Sequence, residues 1–116
     1  MSSKSEATAI ILFCTATTAH AEAAETGDFN TSNKAHAQIL EALEWLEKNS
    51  ATQALVPLLN SSSVGTQIWA AAYLLLQNDS KALNTLETIA STNTIHGLNA
   101  QMTLKEWRAG CLKIIP

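Results

Sequence analysis

The hydrophobic pattern of the chain centres on residues 68–76, a run without any charged residue in which Tyr73 carries the one hydroxyl group. No Asp, Glu, Lys or Arg occurs between Asn49 and Asn78. A helix that is apolar on every side has no face for water, so neighbouring elements have to cover it. The run therefore predicts a central helix with the rest of the chain packed around it.

The other apolar residues recur at spacings of three and four residues and predict five further helices. Gly27 and Gly110 suit the positions that follow the first and last helices, because glycine accepts the left-handed conformation found there. Pro57 falls inside the third helix and predicts a bend or a length of about two turns. The predicted ranges are about 5–26, 32–49, 51–59, 64–77, 81–90 and 95–109.

Each predicted helix has a set of positions on one face that should be buried. In the first helix they are Ala7, Ile10, Ile11, Cys14 and Thr18, with Phe13 on the flank. In the second they are Ala35, Ile39, Ala42, Leu43 and Leu46. In the fifth they are Ala82, Leu83, Leu86, Ile89 and Ala90. In the last they are Leu98, Met102 and Leu104, with Ala100, Trp107 and Cys111 alongside.

A helical pair repeats along the second half of the chain. Ala54-Leu55-x-x-Leu58-Leu59 precedes a helix with Ala70 and Leu74, and Ala82-Leu83-x-x-Leu86 precedes a helix with Ala100 and Leu104. Repeated helical hairpins of about thirty residues are typical of an α-solenoid. The predicted fold is all-α, with about six helices in stacked antiparallel hairpins, and the first two helices are a less regular third pair.

The composition fits one all-α domain over residues 1–116. A chain of 116 residues can bury a single hydrophobic core. Apolar residues make up 47% of the chain, but nineteen of them are Ala, whose small size lets helices approach closely. No long stretch alternates β-branched with polar residues, so strands are not expected.

The net charge of −3 is unevenly distributed along the chain. Residues 1–50 contain seven acidic and three basic residues, whereas residues 51–116 contain three acidic and four basic residues. An acidic half argues against nucleic acid as a partner, because phosphate binding needs a basic surface. The distribution is compatible with a basic protein partner.

The N-terminus has some features of a secretory signal peptide. Lys4 precedes an apolar run over residues 7–19, and Ala19-His20-Ala21 matches a cleavage site. Glu6, however, lies in the segment that should be positive, and four threonines dilute the apolar run. We therefore expect a cytoplasmic protein; secretion, with residues 1–21 as the signal peptide, is the alternative. No stretch is long and apolar enough to span a membrane.

Cys14 and Cys111 lie near opposite ends of the chain, without a CxxC motif or a histidine at ligand spacing. Free thiols in a reducing compartment are the favoured interpretation. The alternative is one disulfide that joins the first helix to the last in an oxidising compartment.

The sequence contains no recognisable catalytic or cofactor motif. His20, His36 and His96 fall in three different helices, and none has a second His or a Cys four residues away, so we expect no metal site. A nucleophile motif such as G-x-S-x-G and a Gly-rich phosphate loop are both absent from the sequence. We expect neither an enzyme nor a cofactor-binding protein.

The best candidate for a functional surface is the acidic face of the first two helices with a neighbouring tryptophan. An aromatic side chain rimmed by acidic residues suits a protein interface. The alternatives are that the acidic face serves solubility and that the tryptophan packs on the first helix. The residues are Glu22, Glu25, Asp28, Glu41, Glu44, Trp45 and Glu47.

Several segments along nearly the whole chain match a known helical pattern. They are Asn33-Lys34, residues 55–59, Trp69-Ala70-Ala71, Ala82-x-x-x-Leu86, and Ala100-x-Met102-x-Leu104-x-x-Trp107-x-x-Gly110-x-Leu112 with Pro116 at the end. These segments resemble a family of short bacterial HEAT-like domains that is named only as a domain of unknown function. One departure is Gly65 after Val64, where HEAT repeats usually place Arg.

The resemblance implies a binding function. Similar small domains occur beside polymorphic toxins and act as immunity proteins in contact-dependent growth inhibition. Many of those toxins are nucleases with basic clefts, which an acidic helical surface could cover, and the family carries no known catalytic residues. We therefore predict a protein-binding module, an immunity protein that neutralises a cognate toxin by covering its active site. The alternative is a helical scaffold or regulatory interaction protein without a toxin partner.

Overall fold

The computed structural model describes residues 5–115, which form six helices joined by short loops. Within that range the chain contains no strand, so the prediction of an all-α fold of about six helices in stacked hairpins is confirmed. Lys4 of the signal-peptide alternative and Pro116 of the family resemblance lie outside the described residues. The elements are α1 (Glu6–Thr26), α2 (Phe29–Lys48), a 3₁₀ helix (Thr52–Asn60), α3 (Val64–Leu75), α4 (Ser80–Ala90) and α5 (Ile95–Arg108).

Side-chain caps fix where the α-helices begin. A capping residue accepts a hydrogen bond from a backbone N–H group of the first turn, which has no partner within the helix. At α2 the cap is Asp28, which accepts from the N–H of Thr31 at 3.1 Å. Because of this cap, α2 begins at Phe29 rather than near the predicted Ser32. The other capping residues are Ser5, Ser63, Asp79 and Thr94.

Pro57 changes the type of the third element. Proline has no N–H to donate, and its ring clashes with the preceding turn of an α-helix. The nine residues from Thr52 to Asn60 form a tighter 3₁₀ helix, in which Leu55 and Leu59 are buried. The third element, predicted to bend or to be about two turns long, is therefore a 3₁₀ helix along its whole length.

The predicted central helix is α3, which packs against α1, the 3₁₀ helix, α4 and α5. All residues from 70 to 75 are buried, although Trp69 is only half-buried and Leu76 is 42% exposed. The helix ends at Leu75, before the predicted end at Gln77, because Asn78 adopts a left-handed conformation with φ of 61°. No helix within residues 5–115 combines the length and the hydrophobicity needed to cross a lipid bilayer.

Small residues allow α1 and α3 to approach each other closely. A Cβ atom added at Gly65 would lie 2.5 Å from the backbone oxygen of Thr17 and 2.7 Å from the Cβ atom of Ala21. Beside this contact, the hydroxyl groups of Thr17 and Thr66 form a buried hydrogen bond of 2.7 Å. The two helices therefore meet through glycine, alanine and threonine, and this close contact holds α3 at the centre.

The buried face of α1 differs from the predicted one. Ile11 is 66% exposed, Ala7 is exposed, and Ile10, Cys14 and Thr18 are only partly buried. The helix turns its small residues and Phe13 inward, because a face of small residues is what allows the approach of α3. The buried residues of α1 are Ala9, Phe13, Ala16, Thr17 and Ala23. The predicted buried face of α2, in contrast, is confirmed in full.

Candidate functional site

The outer face of α5 carries three large apolar side chains. Ile95, Leu98 and Met102 are 51%, 59% and 61% exposed. Their spacing of three and four residues places them on one side of the helix. Contiguous exposed apolar side chains on a small protein mark contact sites for other molecules. We call these three residues the α5 stripe.

The α5 stripe faces outward because smaller residues occupy the inner face of the helix. A Cβ atom at Gly97 would lie 2.2 Å from the backbone oxygen of Thr92, so only glycine fits there. The prediction that Leu98 and Met102 are buried is therefore wrong, and Cys111 is exposed as well. The buried residues of α5 are Gly97, Ala100, Thr103 and Leu104.

Three of the predicted acidic residues lie at the turn between α1 and α2. Glu22, Glu25 and Asp28 are all exposed, and we call them the turn acids. A carboxylate oxygen of Glu25 is 2.7 Å from Nε2 of His96, the second residue of α5. Hydrogen bonds from the side chain and then the backbone of Thr31 lower the pKa of Asp28. Through this contact, Glu25 lies at the first turn of α5, which also carries Ile95 of the α5 stripe.

The other three predicted acidic residues lie on the C-terminal half of α2. Glu41, Glu44 and Glu47 are exposed, and we call them the α2 acids. At the rise of an α-helix, Glu41 is about 20 Å from Asp28 along the axis. The acidic residues therefore form two separate groups rather than one continuous face.

Two of the predicted site residues also contact the interior of the protein. The hydroxyl group of Tyr73 donates a hydrogen bond of 2.5 Å to the carboxylate of Glu47. Burial of Tyr73, followed by this hydrogen bond, raises the pKa of its hydroxyl group. Trp45 is half-buried and packs against the hydrophobic core. The other two α2 acids, Glu41 and Glu44, are exposed.

The structure also brings together two histidines that the sequence pattern left unconnected. The ring centroids of His20 in α1 and His36 in α2 are 6.4 Å apart. Both rings contact Trp69 of α3, at centroid distances of 5.4 and 5.7 Å. Burial, and after it the charge of His36, lowers the pKa of His20. Each histidine is eight residues from Asp28, so an antiparallel hairpin that turns at Asp28 would have predicted this pair.

The three rings line a cleft of about 190 Å³ between α1, α2, α3 and α5, which we call the histidine cleft. Its further polar lining comes from α5 and the C-terminal segment: Asn99, Thr103, Glu106 and Lys113. Its apolar lining is Ile68, Ala72, Leu112 and Ile114. Within residues 5–115, no three His, Cys, Asp or Glu side chains converge in the way that metal ligands do.

A larger groove of about 560 Å³ lies between the 3₁₀ helix, α3, α4 and the loop before α5. Hydroxyl and amide side chains make up most of its polar lining. Thr85, Thr88 and Thr92 donate their hydroxyl hydrogens to backbone carbonyl oxygens of the protein itself. These hydrogen bonds occupy the hydroxyl hydrogens of the three threonines within the protein.

Both cysteines are free thiols. Cys14 is half-buried, and burial raises the pKa of its thiol, so the reactive thiolate form is disfavoured. Cys111 is exposed just beyond the last helix. Neither residue belongs to the histidine cleft or to the α5 stripe.

Comparisons of the chain with protein-family models, with curated proteins and with solved structures gave no significant match.

Proposed function

We propose that the protein is a protein-binding module, acting in the cytoplasm as an immunity protein that neutralises a cognate toxin domain by covering its active site. The observation that carries the binding role is the α5 stripe, in which three large apolar side chains are each more than half exposed. Burial of apolar surface is the main favourable contribution to most protein association, so a partner that covers this stripe would gain affinity from it. The toxin as partner follows from the family resemblance.

The α5 stripe and the turn acids together have the layout of a protein interface. Such interfaces usually have an apolar centre and a polar rim. The stripe supplies the centre, and Glu25, through its contact with His96, supplies an acidic group at the N-terminal turn of the same helix. A matching partner has an apolar patch bordered by basic residues. A nuclease toxin with a basic active-site cleft has that charge.

The α2 acids have a different role in this proposal, because even Glu41, the first of them, lies about 20 Å from Asp28 along the axis of α2. We infer that they accelerate encounter with a basic partner by electrostatic steering. Glu41→Lys combined with Glu44→Lys should lower the association rate constant, and the effect should be larger at low ionic strength. An association rate equal to that of the parent protein would remove the α2 acids from the binding surface.

Growth assays test the immunity role. Affinity capture from the native organism would supply the partner, and this partner expressed alone in a test bacterium should stop growth. Co-expression of the parent chain should restore growth, whereas Leu98→Gln combined with Met102→Gln should not.

The matched control for the growth assay is Ile11→Gln, which changes an apolar side chain of α1 that is 66% exposed. This variant should protect as well as the parent chain. A captured partner that does not stop growth would contradict the immunity role and favour the scaffold or regulatory alternative.

A further inference from the structure

The histidine cleft contains polar side chains without hydrogen-bond partners in the described part of the chain. The rings of His20 and His36 contact Trp69, but their nitrogen atoms bond to no protein atom of residues 5–115. The same is true of the side-chain amide of Asn99. His36 and Asn99 are exposed and His20 is partly buried, so all three can offer hydrogen bonds to a molecule that enters this concave, partly apolar cleft.

The lining of the cleft also includes one carboxylate and one ammonium group, both on exposed side chains. Glu106 projects from α5 and Lys113 comes from the C-terminal segment, and no ion pair joins them within residues 5–115. Burial, and after it the charge of His36, lowers the pKa of His20, so the neutral form of its ring is favoured. A ligand that satisfies both charged groups needs a negative and a positive group of its own.

The volume and the apolar lining restrict the ligand further. The cleft has a volume of about 190 Å³. Sites for drug-sized molecules are larger, at roughly 300–1,000 Å³. The apolar part of the lining, from Ile68, Ala72, Leu112 and Ile114, favours an aliphatic group. The matching ligand is therefore small, carries both charges and has an aliphatic part.

We propose that the histidine cleft binds a free amino acid with an aliphatic side chain. The ammonium group of Lys113 pairs with the carboxylate of the ligand, and the carboxylate of Glu106 accepts hydrogen bonds from its ammonium group. The aliphatic side chain lies against the apolar lining beside Trp69. This site goes beyond the proposed protein-binding role and does not depend on it.

Titration of the full chain with L-leucine tests the proposal, with the ring signals of His20 and His36 followed by NMR. Two analogues keep the aliphatic group and one charge each: isoamylamine lacks the carboxylate, and isocaproate lacks the ammonium group. L-leucine should give saturable shifts of both rings. Each analogue should bind at least about tenfold more weakly, because each leaves one charged group of the cleft without its partner.

Variants of the charged pair provide a second readout. Lys113→Gln and Glu106→Gln should each weaken leucine binding at least about tenfold. Both residues are exposed, so the variants should keep the circular dichroism spectrum of the parent. The matched control is Lys105→Gln, which removes an exposed lysine of α5 that does not line the cleft and should leave leucine binding unchanged.

Three results would overturn the proposal. The first is the absence of saturable shifts up to the solubility limit of leucine. The second is equal affinity for leucine and isocaproate, which would make the cleft a site for simple anions. The third is unchanged leucine affinity in Lys113→Gln.

Discussion

A single added methyl group tests the contact between α1 and α3. In Gly65→Ala the new Cβ atom would lie 2.5 Å from the backbone oxygen of Thr17 and 2.7 Å from the Cβ atom of Ala21. Carbon atoms in proteins pack best at about 3.5–4.0 Å. Neither neighbour can rotate away, because one atom belongs to the backbone and the other is bonded directly to it. The two helices therefore have to move apart.

The size of the effect follows from three contributions. Overpacking of a well-packed core typically costs about 1–3 kcal/mol. Alanine recovers up to about 1 kcal/mol of helix propensity relative to glycine. Separation of the helices also lengthens the buried hydrogen bond between Thr17 and Thr66. Loss of this bond would cost about 1 kcal/mol of stability. The last two contributions offset each other, so Gly65→Ala should lower the free energy of unfolding by about 1–3 kcal/mol.

Urea unfolding followed by far-ultraviolet circular dichroism measures this difference. Gly65→Val should be less stable than Gly65→Ala, because it adds two further methyl groups at the same contact. Ala37→Ser is the control, since it enlarges an exposed residue of α2 and should stay within about 0.5 kcal/mol of the parent. A Gly65→Ala variant at least as stable as the parent would refute the described approach of α1 to α3.

Two further predictions concern buried groups. The pKa of His20 is lower in the folded protein than in the unfolded chain. The unfolded chain therefore binds a proton at His20 more readily, and protonation favours unfolding. The free energy of unfolding should fall as the pH drops below about 6.5. Urea unfolding should show a smaller fall in His20→Gln, and an identical pH dependence would contradict the burial of that ring. Leu75→Asp places an unpaired charge at a side chain that is 1% exposed and should unfold the protein, whereas Leu76→Asp, at 42% exposure, should remain folded. Equal helix content of these two variants would contradict the central position of α3.

The sequence pattern was sufficient where polar and apolar positions differ sharply. In α2 the acidic residues lie on the solvent-exposed face, and all five predicted core positions are buried. In α1 apolar residues surround much of the helix, so the pattern does not select one face. The buried face of α1 is determined by contacts with Gly65 and Thr66 of α3. These residues are distant from α1 in the sequence and contact Thr17 only in the folded chain. In α5 the size of Leu98 and Met102 suggested burial, but the close approach at Gly97 turns them outward.

The positions of the candidate surfaces depend on how the helices are aligned with one another. The pattern of apolar and polar residues in a single helix does not give this alignment. All six predicted acidic residues are exposed, yet they separate into two groups because Glu22 and Glu47 lie toward opposite ends of the α1–α2 hairpin. His20 and His36 meet for the same reason, since the hairpin turns midway between them. Trp69, on the most apolar helix, remains half-buried because it borders the cleft that these histidines line.

The central claim is that the α5 stripe recognises a partner and is not part of the core. Its most direct test measures both unfolding and binding for the variant that combines Leu98→Gln with Met102→Gln. Because both side chains are more than half exposed, the free energy of unfolding should stay within about 1 kcal/mol of the parent, at about 0.5 kcal/mol for each substitution. The affinity for the captured partner should fall about 100-fold, as expected when two interface anchors are lost. Unchanged affinity, or a variant that no longer folds, would contradict the claim.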